Sequence, residues 1–248
     1  MTSFRDRRLL RLHSSERRSL VVCFHHAGAG ASTFTEWPKR FGALADVIVV
    51  QLKGREDRLA EPLEESLTDL SVYIASELSV TAHDDLVLLG HSMGATIAWC
   101  VASQLWQQHG RKTRVVVSAQ APALNYEWNK DRISDWFEIL GEPLPDAIHG
   151  SELREIFVST MAADMAWMRR EFTAQLPGPL PIDLFCLCAS DDRLATWDLM
   201  SKWQHYTTGK FLLARIPGGH LHIVSNPDPV INFVVGLVDQ PYAYKLNA

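Results

Sequence analysis

Short apolar runs of strand length alternate with longer stretches whose apolar positions recur at helical spacing. The runs 9–12, 19–24, 47–52, 85–89, 114–119, 182–188 and 211–216 predict seven strands. Several are unbroken Val/Leu/Ile stretches rather than alternating ones, the pattern of strands covered on both faces of a mostly parallel sheet. Between them 67–78, 95–109, 195–206 and 229–238 carry helical periodicity. The alternation predicts one doubly wound α/β domain spanning 1–248, with no boundary inside it.

One stretch breaks the rhythm. From 125 to 179 no strand pattern occurs; two amphipathic helices are predicted there, 131–140 and 151–172, separated by the turn-rich Gly141-Glu142-Pro143-Leu144-Pro145. Pro177-Gly178-Pro179 closes the segment, since proline lacks the N–H a helix needs. An insertion of this kind predicts a helical cap over the carboxyl ends of the strands, where sheets of this class bind ligands.

Composition narrows the partners. At 47% hydrophobic and 21% charged residues the chain is an ordinary globular protein, and its net charge of −5 gives no bulk attraction to nucleic acid. No apolar run approaches the length of a membrane span, and the Arg-rich first 18 residues lack the apolar core of a signal peptide. Four cysteines are too few for a disulfide scaffold. Cys23, Cys186 and Cys188 fall in strand runs and Cys100 in a helix, which reads as reduced core thiols of a cytoplasmic protein. No Cys/His spacing resembles a metal site, and no cofactor fingerprint is present.

The chemistry lies in the loops. Gly90-His91-Ser92-Met93-Gly94 is a G-x-S-x-G pentapeptide, with a strand run directly before it and a helical pattern directly after. That setting predicts a nucleophile elbow of the α/β-hydrolase fold, in which a strained turn lifts Ser92 Oγ above the sheet. Glycine is needed at 90 and 94 because a Cβ would clash where strand and helix converge. An oxyanion hole would take the N–H of Met93 and a second donor from the loop His25-His26-Ala27-Gly28-Ala29-Gly30, with Ala27 the candidate.

A serine hydroxyl needs a base. His220 in Pro217-Gly218-Gly219-His220 follows the last strand, and in this fold the order runs Ser, acid, His. His222 is the second candidate; His26 and His91 come too early. The acid belongs after the strand 182–188, where Asp191 and Asp192 are equally placed; Asp183 stands at the wrong end of that strand. An esterase or lipase acting on free esters would need nothing different.

Over roughly 18–236 the chain resembles the type II thioesterases, stand-alone editing enzymes that accompany polyketide synthases and nonribosomal peptide synthetases. The motifs that carry the resemblance are His26-Ala27-Gly28-Ala29, Gly54-Arg55-Glu56-Asp57-Arg58, Gly90-His91-Ser92-Met93-Gly94, Trp203 with Thr207-Thr208-Gly209, and Pro217-Gly218-Gly219-His220. Lys53 stands where the family has proline, and Ala29 where it has a second glycine. The resemblance selects Asp192 as the acid. It implies hydrolysis of acyl groups from the phosphopantetheine arm of acyl or peptidyl carrier proteins, without a cofactor. Carrier proteins are acidic near that arm, so Arg55, Arg58, Arg169 and Arg170 are candidates for steering their docking.

Overall fold

The computed structural model describes residues 9–13, 18–122, 151–172 and 176–239. Seven strands form one sheet: β1 Leu9–His13, β2 Ser19–Phe24, β3 Ala45–Val50, β4 Asp85–His91, β5 Arg114–Ser118, β6 Asp183–Ala189 and β7 Phe211–Ile216. Their order is β1-β3-β2-β4-β5-β6-β7. Strands β2 to β7 run parallel, and β1 lies antiparallel on β3 at the edge. All seven predicted strands are present, with ends moved by one or two residues.

The helices are α1 Trp37–Phe41, α2 Leu67–Ser79, α3 Met93–His109, α4 Ser151–Glu171, α5 Trp197–Ser201, α6 His222–Ser225 and α7 Asp228–Asp239. The predicted helix 195–206 divides into α5 and a 3₁₀ turn, Lys202–Tyr206. Serine at the start of α2 acts as a cap, Ser66 Oγ accepting the Asp69 N–H at 3.0 Å, worth about 1 kcal/mol by precedent. The predicted helix 131–140 and the turn after it lie outside the described residues.

The unbroken apolar strands are explained by two cores, one on each face of the sheet. Leu20, Val22 and Phe24 pack with Leu70 and Ile74 of α2 and Trp99 and Ala102 of α3. Val21 and Cys23, pointing the other way, pack with Trp37 and Phe41 of α1 and Ile231 and Val234 of α7. Since successive strand residues face opposite sides, only an apolar residue at every position serves both layers. All four cysteines are free thiols.

Helix α4 covers the carboxyl-end loops. Met161, Met165, Trp167 and Met168 are buried in the α2–α3 core. Trp167 Nε1–H donates to Glu65 O at 2.8 Å, and Leu67 N–H donates to Glu171 Oε2 at 3.0 Å. No described helix is long and apolar enough to cross a membrane.

Candidate active site

Strand β4 ends at His91 and α3 starts at Met93, so a single residue, Ser92, makes the turn. Its backbone is held at φ 51°, ψ −121°, a conformation that costs a non-glycine residue about 1–3 kcal/mol. The turn is secured by Ser92 N–H donating to Ser118 O at 2.9 Å and Ala95 N–H donating to Ser92 O at 2.9 Å. The flanking glycines are dictated by backbone. A Cβ at Gly90 would land on Gly94 O and the Ala95 backbone, and one at Gly94 on the carbonyls of Phe24 and His25. The start of α3 is thereby pressed against the loop that follows β2.

Three of the predicted side chains meet. Ser92 Oγ–H donates to His220 Nε2 at 3.0 Å, and His220 Nδ1–H donates to Asp192 Oδ2 at 2.9 Å. A carboxylate only accepts, so this line sets the imidazole as the tautomer with its proton on Nδ1. Asp192 is buried and Asp191, one residue earlier, is exposed, which separates two positions the residue pattern left equal. Asp192 Oδ1 also accepts the N–H groups of Leu194 at 2.8 Å and Ala195 at 3.0 Å. Burial pushes its pKa up, but the hydrogen bond and charge of His220 and these two N–H groups outweigh it and hold the carboxyl below its ordinary value. Asp183 sits at the opposite end of β6, its Oδ1 taken by Lys210 N–H at 3.0 Å.

The residues proposed for the oxyanion hole occupy the expected loops. Met93 opens α3, where helical N–H groups have no partner within the helix. Ala27 lies on the loop against which Gly94 is pressed, and neither its N–H nor that of Met93 donates to an acceptor among the described residues. The peptide ahead of Ala27 is fixed by its carbonyl, His26 O, which accepts from His25 Nδ1–H at 2.9 Å and Ala29 N–H at 3.2 Å.

The site has the elbow, the hydrogen-bonded Ser–His–Asp line and the glycine loop of an acyl-transfer hydrolase, and comparison with known proteins places it further. The thioesterase domain family matches residues 20–236. The chain is a member of this family. A probable cadicidin biosynthesis thioesterase of Streptomyces griseus is 29% identical over 230 residues, covering 90% of this chain and 63% of the relative. The chain thus spans less than two thirds of that relative's length. Among solved structures, the RedJ thioesterase from the prodiginine biosynthetic pathway of Streptomyces coelicolor shares 27% identity at a TM-score of 0.77, covering 89% of this chain and 91% of its own. The type II thioesterase BorB from the borrelidin biosynthetic cluster superposes at a TM-score of 0.82 with 24% identity, over 96% of this chain and 100% of its own, a likeness of fold.

In this member of the thioesterase domain family two of the arginines expected to steer docking do something else. Arg55 is 3% exposed, and all five of its N–H donors are used within the protein. Arg58, equally buried, donates to Gln51 O at 3.0 Å and holds Glu61 at 2.7 Å. Neither presents a guanidinium to a partner, because backbone carbonyls and the carboxylates of Asp164 and Glu61 have drawn both inward. Arg170, by contrast, keeps 52% of its side chain exposed beside Glu171.

Side chains beyond the Ser–His–Asp line also contribute. His222, the alternative base, is committed beneath the site: its Nδ1–H donates to Gly219 O at 2.9 Å, and Ser118 Oγ–H donates to its Nε2 at 2.7 Å. His91 Nδ1–H donates in turn to Ser118 Oγ at 3.1 Å. The buried imidazole of His91 lies 4.8 Å from that of His222 and 5.7 Å from that of His220, centroid to centroid. Burial, then the nearby His222 and His220, keep His91 well below its ordinary pKa, so it is neutral. The signal for Ser118 was a lone hydroxyl closing the Val115-Val116-Val117 run. Among the described residues, no group of three or more His, Cys, Asp or Glu side chains is arranged to hold a metal ion.

Proposed function

We propose that this thioesterase uses Ser92, His220 and Asp192 as a catalytic triad to hydrolyse acyl thioesters from the phosphopantetheine arm of carrier proteins, removing aberrant acyl groups in polyketide or nonribosomal peptide biosynthesis. The observation that carries the reading is the Ser92–His220–Asp192 line of 3.0 and 2.9 Å at a strained elbow.

His220 Nε2 takes the Ser92 hydroxyl proton as Oγ attacks the thioester carbonyl carbon. The N–H groups of Ala27 and Met93 receive the oxyanion, each such donor being worth about 10²–10³ in kcat. Collapse breaks the C–S bond, and the pantetheine sulfur leaves with the proton held on His220. Water then gives a proton to Nε2 and attacks the acyl-enzyme; collapse of the second oxyanion expels Ser92 Oγ, which recovers the proton as the free acid departs. Asp192 stays ionised throughout, its depressed pKa matching the task of stabilising the imidazolium.

The segment 125–179 acts as a lid that limits acyl size, and the setting is cytoplasmic, where carrier-bound synthesis runs and where its buried thiols stay reduced. The partner is an acyl or peptidyl carrier protein. Intact-mass analysis of an acetyl-loaded carrier protein, incubated with the enzyme and with Ser92→Ala as control, tests the reading. Loss of the acetyl group with wild type alone supports it. An acetyl group that survives while simple esters are cleaved removes the carrier-editing role and leaves an esterase.

A further inference from the structure

Asp164 lies in the middle of α4, far in sequence from the serine elbow and the histidine loop, and its side chain is fully buried. A buried carboxylate costs several kcal/mol unless it is paired and its oxygens are hydrogen-bonded. Here the pairing is complete. Arg55 Nη2–H donates to Asp164 Oδ1 at 2.6 Å and Nη1–H to Oδ2 at 2.8 Å. The remaining Arg55 donors go to backbone, Nη1 to Ala29 O at 3.1 Å, and Nε and Nη2 to Lys53 O at 3.1 and 2.8 Å.

An ion pair that merely fastened a helix would end there. Asp164 Oδ2 also accepts the N–H of Gly28 at 2.7 Å. Gly28 belongs to the peptide that follows Ala27, and the other end of that peptide, Ala27 O, accepts from His26 Nδ1–H at 2.9 Å. Both polar atoms of the plane are therefore clamped, one by its own strand loop and the other by α4. The helix also closes sterically on the same residue. Gly28 has φ +78°, and a Cβ there would meet Met161 Cε at 2.9 Å and the Phe157 ring at 3.2 Å.

We infer that Asp164 is a positioning residue of the oxyanion site, whose carboxylate makes the orientation of the Ala27 N–H depend on α4 being seated. The inference rests on the reading of Ser92 as nucleophile and Ala27 as oxyanion donor. Seating of α4 and assembly of the oxyanion hole become one event, so an enzyme with this helix displaced holds an intact Ser–His–Asp line and a poorly formed pair of donors for the oxyanion.

The test measures fluorophosphonate labelling of Ser92 and steady-state hydrolysis of p-nitrophenyl acetate for wild type, Asp164→Asn and the double variant R55M/D164L. The double variant removes both charges together, so no uncompensated guanidinium is left buried. A donor that exists but is misaligned should lower labelling rate and kcat by about 10–100-fold, short of the 10²–10³ for a deleted donor, with KM within about threefold. A raised KM at unchanged kcat would make Asp164 a wall of the binding pocket and overturn the inference. Wild-type rates in a variant that melts like wild type overturn it as well. If R55M/D164L does not fold, the split between kcat and KM in Asp164→Asn decides. Wild type that fails to label at Ser92 overturns the triad itself, an outcome distinct from labelled wild type matched by Asp164→Asn.

Discussion

Asp192 and His220 meet through a buried hydrogen bond of 2.9 Å, although 28 residues separate them along the chain. The contact exists because β6 and β7 are parallel neighbours, which brings the loops after their carboxyl ends side by side. Asp191 shares the loop but uses its backbone instead, its N–H donating to Gly218 O at 2.9 Å. The two aspartates should therefore respond differently. Asp192→Asn puts an amide against Nδ1, favours the wrong imidazole tautomer and should lower kcat by about 10⁴. Asp191→Asn should stay within about threefold, as expected of an exposed group outside the hydrogen-bonded line. Parallel steady-state kinetics on the two variants checks this, and the reverse ranking would move the acid to Asp191.

Removing the nucleophile should cost more. Ser92→Ala is expected to lower kcat by about 10⁵–10⁶, because the members of a triad act as a unit and little is left once one is gone. Thioester turnover on acetyl-loaded carrier, followed by mass, gives the number. Residual activity within tenfold of wild type would place the nucleophile elsewhere.

What the residues revealed on their own followed how local each constraint is. The elbow was legible because its requirement for glycine on both sides of Ser92 is imposed within five residues. His220 was legible because its loop follows a recognisable last strand. The antiparallel direction of β1 was not, since the apolar pattern of a strand is the same read either way. Arg55 and Arg58 misled because a charged side chain in a sequence carries no mark of burial, and the carboxylate that draws Arg55 inward lies 109 residues away. His222 was ranked as a base for its position, whereas its role is set by Ser118, 104 residues earlier.

Glycines in similar chemical settings should part company under substitution. Gly94→Ala drives a methyl group into the carbonyls of Phe24 and His25, and no rotamer change can move backbone aside. It should lose about 3 kcal/mol, the upper end for overpacking, along with hydrolysis. Gly236, on the exposed side of α7, has open space around the site of a Cβ. Gly236→Ala should gain about 0.5–1 kcal/mol from helix propensity and a less disordered unfolded chain. Urea midpoints of the two variants measure both effects, and equal shifts would refute the packing described at the elbow.

Acid should destabilise the fold well before the carboxylates titrate. Burial brings His26 down to about 4 from an ordinary 6.5, against a partial rise from its hydrogen bond to Ala27 O. His25, His91 and His222 are lowered too, each first by burial. As pH falls from 6.5 towards 4 the unfolded chain takes up more protons at these positions than the folded chain does. Stability therefore falls as pH falls, and His26 alone accounts for a loss on the order of 3 kcal/mol across that window. Asp192 acts in the same direction lower down: its folded pKa is depressed, so its contribution is present above the unfolded value of 3.8 and is lost as pH falls through the folded one. Thermal midpoints taken from pH 7 to 4 should decline steadily, and His26→Gln should flatten the slope by about one proton's worth, roughly 1.4 kcal/mol per pH unit. A midpoint constant between pH 6.5 and 4.5 would mean that these imidazoles are charged in the folded protein. The neutral chain Gly219–His222–Ser118–His91 beneath the histidine loop could not then hold as described.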